Sequence, residues 1–289
     1  DPVMATEIIT NFSFYDIVPD LPPLTVVDVG ALPLDGLPEV YSPLLERGKV
    51  SLIAFEADQA GCVKLTAKLG PEHEVFPVIA GDGSERTFYQ NSHEMTNSLF
   101  PPNLGLISRF VGIAEFMQPI GTKTVKTCRL DDTIDLDTID LLKMDVQGGE
   151  LLVLDGAPKL ATSALAIHTE VEFVPLYSGQ PLFADIDTRV RSLGFQFHTF
   201  RGIAMRSFVP LRSAVDEFKG VNQALWSDAV YVPDLSNLLN YSDERLLKLV
   251  AILHDLYESV DLALHILNLM SEGSDRKIFN EYFKKLGLT

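Results

Sequence analysis

From about Leu24 to Val232, short apolar runs rich in β-branched residues alternate with segments of helical spacing, a pattern that predicts a mostly parallel sheet covered by helices on both faces. "LTVVDVG" is the first strand, a helix follows over roughly residues 38–47, and "VSLIAFEAD" is the second strand. "EADQAGCVKLTAKLG" has helical spacing and stops at Gly70 and Pro71, and "HEVFPVIAGDG" is the third strand. The rhythm then breaks between Ser84 and about Leu130. There "ERTFYQN" alternates like an additional strand and "SLFPPNLGLISRF" is irregular, so this stretch is expected to be an inserted loop region over a site.

The alternation resumes at "IDLLKMDV", the fourth strand, followed by a short helix in "GELLVLDGAPKL" and a fifth strand in "ALAIHTEVEF". "ADIDTRVRSLG" is an amphipathic helix, "FQFHTFRGIAM" a sixth strand and "ALWSDAVYV" a seventh. Beyond Pro233 the period becomes helical: Leu246, Val250, Leu253, Leu256, Tyr257, Val260, Leu264 and Leu267 recur along one face, with Ser242 as the expected N-cap. The chain therefore divides into a lead-in (residues 1–23), a sheet domain (24–233) and a C-terminal helical extension (234–289). That extension is expected to pack on the sheet domain or on a second subunit, which makes a homodimer through these helices an expectation.

Composition narrows the function classes. The 289 residues are 46% hydrophobic and 22% charged, which suits a globular chain with a sizeable core. A formal net charge of −17 would repel a phosphate backbone, so nucleic acid is not the expected partner. No apolar stretch approaches the roughly 20 residues that span a bilayer, and "DPVMATEIIT" lacks the pattern of a signal peptide. Cys62 and Cys128 have no metal-type spacing and the histidines are scattered, so no metal site is expected and a reducing cytoplasm is the expected setting.

Candidate chemistry gathers at strand ends. Asp28 and Gly30 close the first strand, Glu56 and Asp58 the second, Asp82 the third and Asp145 the fourth. In open α/β sheets that edge is where ligands bind. The glycine after Gly30 is Gly36, so the G-x-G-x-x-G cradle for a pyrophosphate is missing. A carboxylate at Glu56 suits a ribose diol, and Asp82 an adenine amino group. A cleft lined by acids favours a cationic cofactor, and the sulfonium of S-adenosylmethionine meets that description. His168 and Glu170 lie two apart on the fifth strand and face one side, so with Asp145 they are candidates for the base that takes a proton from an acceptor hydroxyl.

"VVDVGA", "FEAD" and above all "KMDVQGGELLVLDGA" followed by "ALAIHTEVEFVPLY" resemble the FkbM-type methyltransferase family, whose text runs close to D-V-G-A-N-x-G, F-E-P and K-x-D-V-x-G-x-E. The likeness covers roughly Thr25 to Val232; "ALPLDG" replaces the asparagine and following glycine of the first motif. The resemblance implies a Rossmann-like, seven-stranded α/β fold with the last strand antiparallel. It also implies S-adenosylmethionine as cofactor and O-methylation of a sugar, glycolipid or polyketide-type acceptor. By this resemblance Asp28, Gly30 and Ala31 form the methionine-side loop, Glu56 binds ribose, Asp145 stands beside the reacting methyl group, and Asn97 and Ser98 belong to a small polar motif over the site. Two alternatives stay open from the residues alone: a non-catalytic binding or assembly protein, and an NAD-dependent oxidoreductase.

Overall fold

A computed structural model describes residues 8–32, 38–216, 218–271 and 276–288 of the chain. Its strands are β1 (Leu24–Val29), β2 (Val50–Phe55), β3 (Glu74–Phe76), β4 (Glu85–Asn91), β5 (Pro119–Lys126), β6 (Leu141–Met144), β7 (Ala166–Glu172), β8 (Phe195–Met205) and β9 (Ala224–Pro233). Seven of them form one sheet in the order β3-β2-β1-β6-β7-β9-β8. β1 runs parallel to β6, β6 to β7 and β2 to β3, whereas β9 is antiparallel to β7. The expected Rossmann-like sheet with an antiparallel last strand is therefore present. Strand order reverses between β1 and β6, which opens a crevice at the C-terminal ends of those two strands.

The pattern fixed the central strands because they are buried on both faces. β6 is buried at all four positions, and Val27, Val29, Leu142, Met144 and Ile167 join one apolar cluster with Val153, Leu154, Ile186 and Val190 from the following helices. β3 is shorter than "HEVFPVIAGDG" suggests, because Pro77 has no N–H to continue a ladder. The interrupted stretch is more ordered than expected. β4 and β5 form a separate antiparallel pair, and β5, which the sequence pattern did not reveal, is exposed at most positions and so carries no buried stripe.

The chain divides into two compact units: Asp1–Thr25, Leu34–Ser51 and Pro233–Thr289 in one, Val26–Pro33 and Leu52–Val232 in the other. The lead-in and the helical extension, read from the sequence as separate segments, thus belong to one unit, together with residues taken from the expected sheet domain. His254 gives the physical reason. Its Nε2 donates to the Phe12 carbonyl at 2.7 Å, so in the neutral ring Nδ1 is an acceptor for the Tyr282 hydroxyl at 3.0 Å. Asp255 next to it accepts the Phe14 N–H at 3.1 Å. The extension is not one helix: Asp243–Ala251 passes through a π-turn at Ile252–Leu256 into Val260–Met270, and Lys277–Lys285 follows. Ser242 caps the first, accepting from the Arg245 N–H. Leu246, Val250, Leu253, Leu256, Tyr257, Val260 and Leu267 are all buried within a single copy of the chain. No helix among the described residues is long and apolar enough to cross a membrane.

Candidate active site

The loops after β1, β2 and β6 are joined by their backbones. Gly30 and Ala31 both donate to the Phe55 carbonyl, at 2.9 and 3.1 Å, and Asp145 donates to the Val29 carbonyl at 2.9 Å. Gly30 has φ +90°, and a Cβ there would stand 1.9 Å from the Asp145 carbonyl oxygen, so only glycine permits this approach. Ala31 is buried beside it. The remainder of the altered loop, residues 33–37, lies outside the described residues.

The strand-end acids have different environments. Asp28 is fully buried and its carboxylate pairs with Lys143 Nζ at 3.1 Å, the two residues being register partners across β1 and β6. Glu56, 6% exposed, accepts the Asp58 N–H on Oε1 at 2.7 Å. Burial first, and the neighbouring Asp58 charge second, push its carboxyl above the ordinary 4.5. The Ala57 N–H also donates to this carboxylate and, like the Asp58 N–H, opposes the upward shift. Asp58 itself is an N-cap, accepting the Gly61 N–H at 2.7 Å at the head of the Gln59–Leu69 helix. Asp82 is tied to Arg86 at 2.6 Å and to the Ser84 hydroxyl at 2.6 Å, and the Arg86 guanidinium is the main reason its carboxyl lies well below the usual aspartate range.

The densest network surrounds Gln147, in the middle of "DVQGG". Its Nε2 donates to Asp145 Oδ1 at 2.9 Å and to Glu170 Oε2 at 2.7 Å, while Oε1 accepts from the Tyr177 hydroxyl at 3.0 Å. The reverse orientation would set the amide oxygen against two carboxylates, so the chemistry fixes the amide. The Gln147 carbonyl accepts from Ser98 Oγ at 2.6 Å, and Tyr177 also donates to the Thr96 carbonyl at 3.0 Å. Gln147 sits at φ +56°, an unusual conformation for a residue with a side chain, held here by these contacts. Asn97 accepts the Asn91 N–H at 2.8 Å on Oδ1, tying the loop to β4. Thus Ser98 touches the network and Asn97 supports the loop that carries it.

Three further glutamates share this region. Glu150, 1% exposed, accepts the Val146 N–H at 2.8 Å. Burial first, and then the charge of Glu172 for Glu150 and of Asp145 for Glu170, hold both well above the ordinary carboxylate range. Glu172, two residues beyond Glu170 on the same face, is pushed up to about 7, chiefly by burial and against the opposing hydrogen bond from Gln180. These three carboxyls therefore hold their protons to higher pH than ordinary carboxylates do. His168 is buried one step back, its Nε2 3.6 Å from Asp228 Oδ2. Burial works against the Asp228 charge, but the combined pull of His168, Lys143 and Arg201 keeps its carboxyl below the ordinary range.

Asp145, Gln147, Glu170, Glu172 and Asp228 line one side of a cleft of about 740 Å³. Its remaining walls are largely apolar, with Met95, Ile113, Phe116, Leu176, Ile203 and Trp226, and two arginines, Arg201 and Arg206. The structure therefore brings Asp145 and Glu170 together, sets His168 behind Asp228, and leaves Asp58 and Asp82 as loop-forming groups. Gln147, Tyr177, Glu172, Trp226 and Arg206 were not singled out from the sequence. Glu172 had a signal, the period-2 spacing it shares with His168 and Glu170; the others reach the cleft from separate elements.

A family model described as "Methyltransferase FkbM domain" matches residues 28–197. The 2-O-methyltransferase NoeI of Sinorhizobium fredii is 32% identical over 155 residues, which cover 49% of this chain and 62% of that protein. Among solved structures, a TehB-like SAM-dependent methyltransferase from Corynebacterium glutamicum aligns at 11% identity over 78% of this chain and 89% of that one, with a TM-score of 0.35. Magnesium protoporphyrin IX methyltransferase from Synechocystis aligns at 12% identity over 76% of each chain, with a TM-score of 0.33. The family match runs from Asp28 through the "KMDVQGGE" turn to the start of β8 and takes in more than half of the sequence. The chain belongs to the methyltransferase FkbM domain family.

Proposed function

We propose that the protein is an S-adenosylmethionine-dependent methyltransferase that acts on a hydroxyl of a sugar, glycolipid or polyketide-type acceptor. The observation that carries this reading is the buried Glu56 at the end of β2. Its carboxylate is held by the Asp58 and Ala57 N–H groups, close to the Gly30 turn that only glycine can make. That carboxylate suits a ribose diol, and the acids across the crevice suit a sulfonium. Family membership and the likeness to a 2-O-methyltransferase support the same reading.

When bound, the cofactor supplies a methyl group on a positively charged sulfur. The chain's part is to hold the acceptor oxygen in line with it, where positioning supplies much of the rate. Gln147 fixes Asp145 and Glu170 with one amide, and because Glu170 Oε2 accepts from that amide, its retained proton belongs on Oε1. In this proposal the protonated Glu170 orients the acceptor, Asp145 takes the hydroxyl proton, and His168 acts through Asp228, which lines the same cleft. Glu56, Asp28, Gly30 and Ala31 serve the cofactor side, Asp28 by holding Lys143 and the end of β1.

Calorimetric titration with S-adenosylhomocysteine, the demethylated product, tests the reading. Micromolar binding is expected, weakened in Glu56→Ala by about 1–3 kcal/mol, the range for hydrogen bonds to a charged group. No binding by the folded wild-type protein overturns it.

A further inference from the structure

Arg206 is a cation in the cleft with no ion-pair partner among the described residues. Arg201 acts electrostatically on Asp228, one of the cleft acids. Arg206 forms no ion pair among the described residues: its Nη1 donates to the Met205 carbonyl at 2.8 Å, and its buried Nε has no hydrogen-bond partner. The guanidinium lies over Trp226, 5.3 Å from the ring centroid, and over Phe218 at 5.6 Å. Burial disfavours its charge, and among the described residues Asp216 acts in its favour. A buried, unmatched N–H on a half-buried cation is costly, and such a group calls for a partner.

We propose that Arg206 and Trp226 form the specificity subsite of the cleft and take an acceptor that bears a carboxylate, as a uronic acid does. The fork of a guanidinium matches a planar carboxylate, whereas an ammonium would not. A singly charged acid also suits this place better than a phosphate dianion, because Asp228, whose carboxyl lies below the ordinary range, lines the same cleft and repels a second negative charge. The flat ring of Trp226 offers the acceptor an apolar surface beside its acid group. Acceptors with a neutral substituent in that position leave the cation unmatched and bind more weakly, so selection is made at Arg206 and methyl transfer at the Asp145 end.

The inference rests on the methyltransferase reading for the purpose of the cleft, but its test runs without cofactor. Trp226 is the protein's one tryptophan, so its fluorescence reports this subsite alone. Phenyl β-D-glucuronide and phenyl β-D-glucoside, which differ at the carboxylate, are titrated against the full chain. The glucuronide is expected to bind at least about 10-fold tighter, Arg206→Gln to bring the two within about 2-fold, and Arg206→Lys to retain an intermediate preference. Circular dichroism confirms that each variant is folded. Equal binding of the two glycosides, no response to either, or a preference that survives Arg206→Gln overturns the proposal. Glucuronide preference in a protein that does not bind S-adenosylhomocysteine would sink the methyltransferase reading and leave the subsite standing.

Discussion

Replacing Glu172 by glutamine removes an acid that the fold holds in its protonated form. Glu172 is 2% exposed at the end of β7, and its carboxyl is pushed from the ordinary 4.5 up to about 7 by burial first, then by Asp145, against the Gln180 hydrogen bond. Between those two values the native state keeps the proton while the unfolded chain has lost it. Stability therefore falls as pH rises through this window, is fully present below 4.5 and is fully lost above about 7. At 1.36 kcal/mol per pH unit, the gap amounts to about 3 kcal/mol. Glutamine keeps the size and still accepts from Gln180, but carries no charge. Urea unfolding of wild type and Glu172→Gln, extrapolated to water, is expected to give similar stabilities at pH 5, where about 1 kcal/mol of the cost has set in, and a variant more stable by about 3 kcal/mol at pH 8. A difference between the two proteins that stays constant from pH 5 to 8 would refute the assignment of a native-state proton to Glu172.

Lys143→Met is expected to cost about 3–5 kcal/mol, because it removes the cation paired with the fully buried Asp28 carboxylate, whereas the double variant with Asp28→Asn recovers most of the loss. Urea denaturation reads both, and a double variant no more stable than Lys143→Met would count against the pair. Tyr177→Phe removes the hydroxyl shared by the Thr96 carbonyl and Gln147 Oε1, for an expected loss of about 1–2 kcal/mol. It is also expected to lower turnover more than acceptor affinity; an unchanged turnover would show that Gln147 holds its place without it.

The parts of this molecule that could be read in advance are those that repeat locally. β1, β2, β6 and β7 are short apolar runs bounded by glycine and acids, and their order follows from the alternation with helices. β5 escaped notice because a surface strand buries no stripe, and the break between Ala251 and Val260 did because apolar spacing persists through the π-turn. Candidate site residues differ in how far their surroundings could be read in advance. Asp145 and Glu170 stood at strand ends and were visible there. Asp58 and Asp82 stood at strand ends too, yet one caps a helix and the other anchors Arg86, roles set by neighbours rather than by position.

Gln147 shows what the sequence could not convey about this site. A glutamine between a strand-end acid and two glycines has no periodicity, and its backbone lies where glycine would be less strained. The side chain explains why it is tolerated. Glycine would relax the turn but would leave Asp145 and Glu170 facing each other without a shared donor, and Tyr177 without an acceptor on that side. A residue that costs the backbone something and satisfies three groups from three elements is constrained by the site rather than by the turn. The amide does not ionise at ordinary pH, so its contribution is geometric: it sets the separation of two carboxyl groups. Polar chemistry at the end of β6 and β7 is thereby fixed before any acceptor arrives.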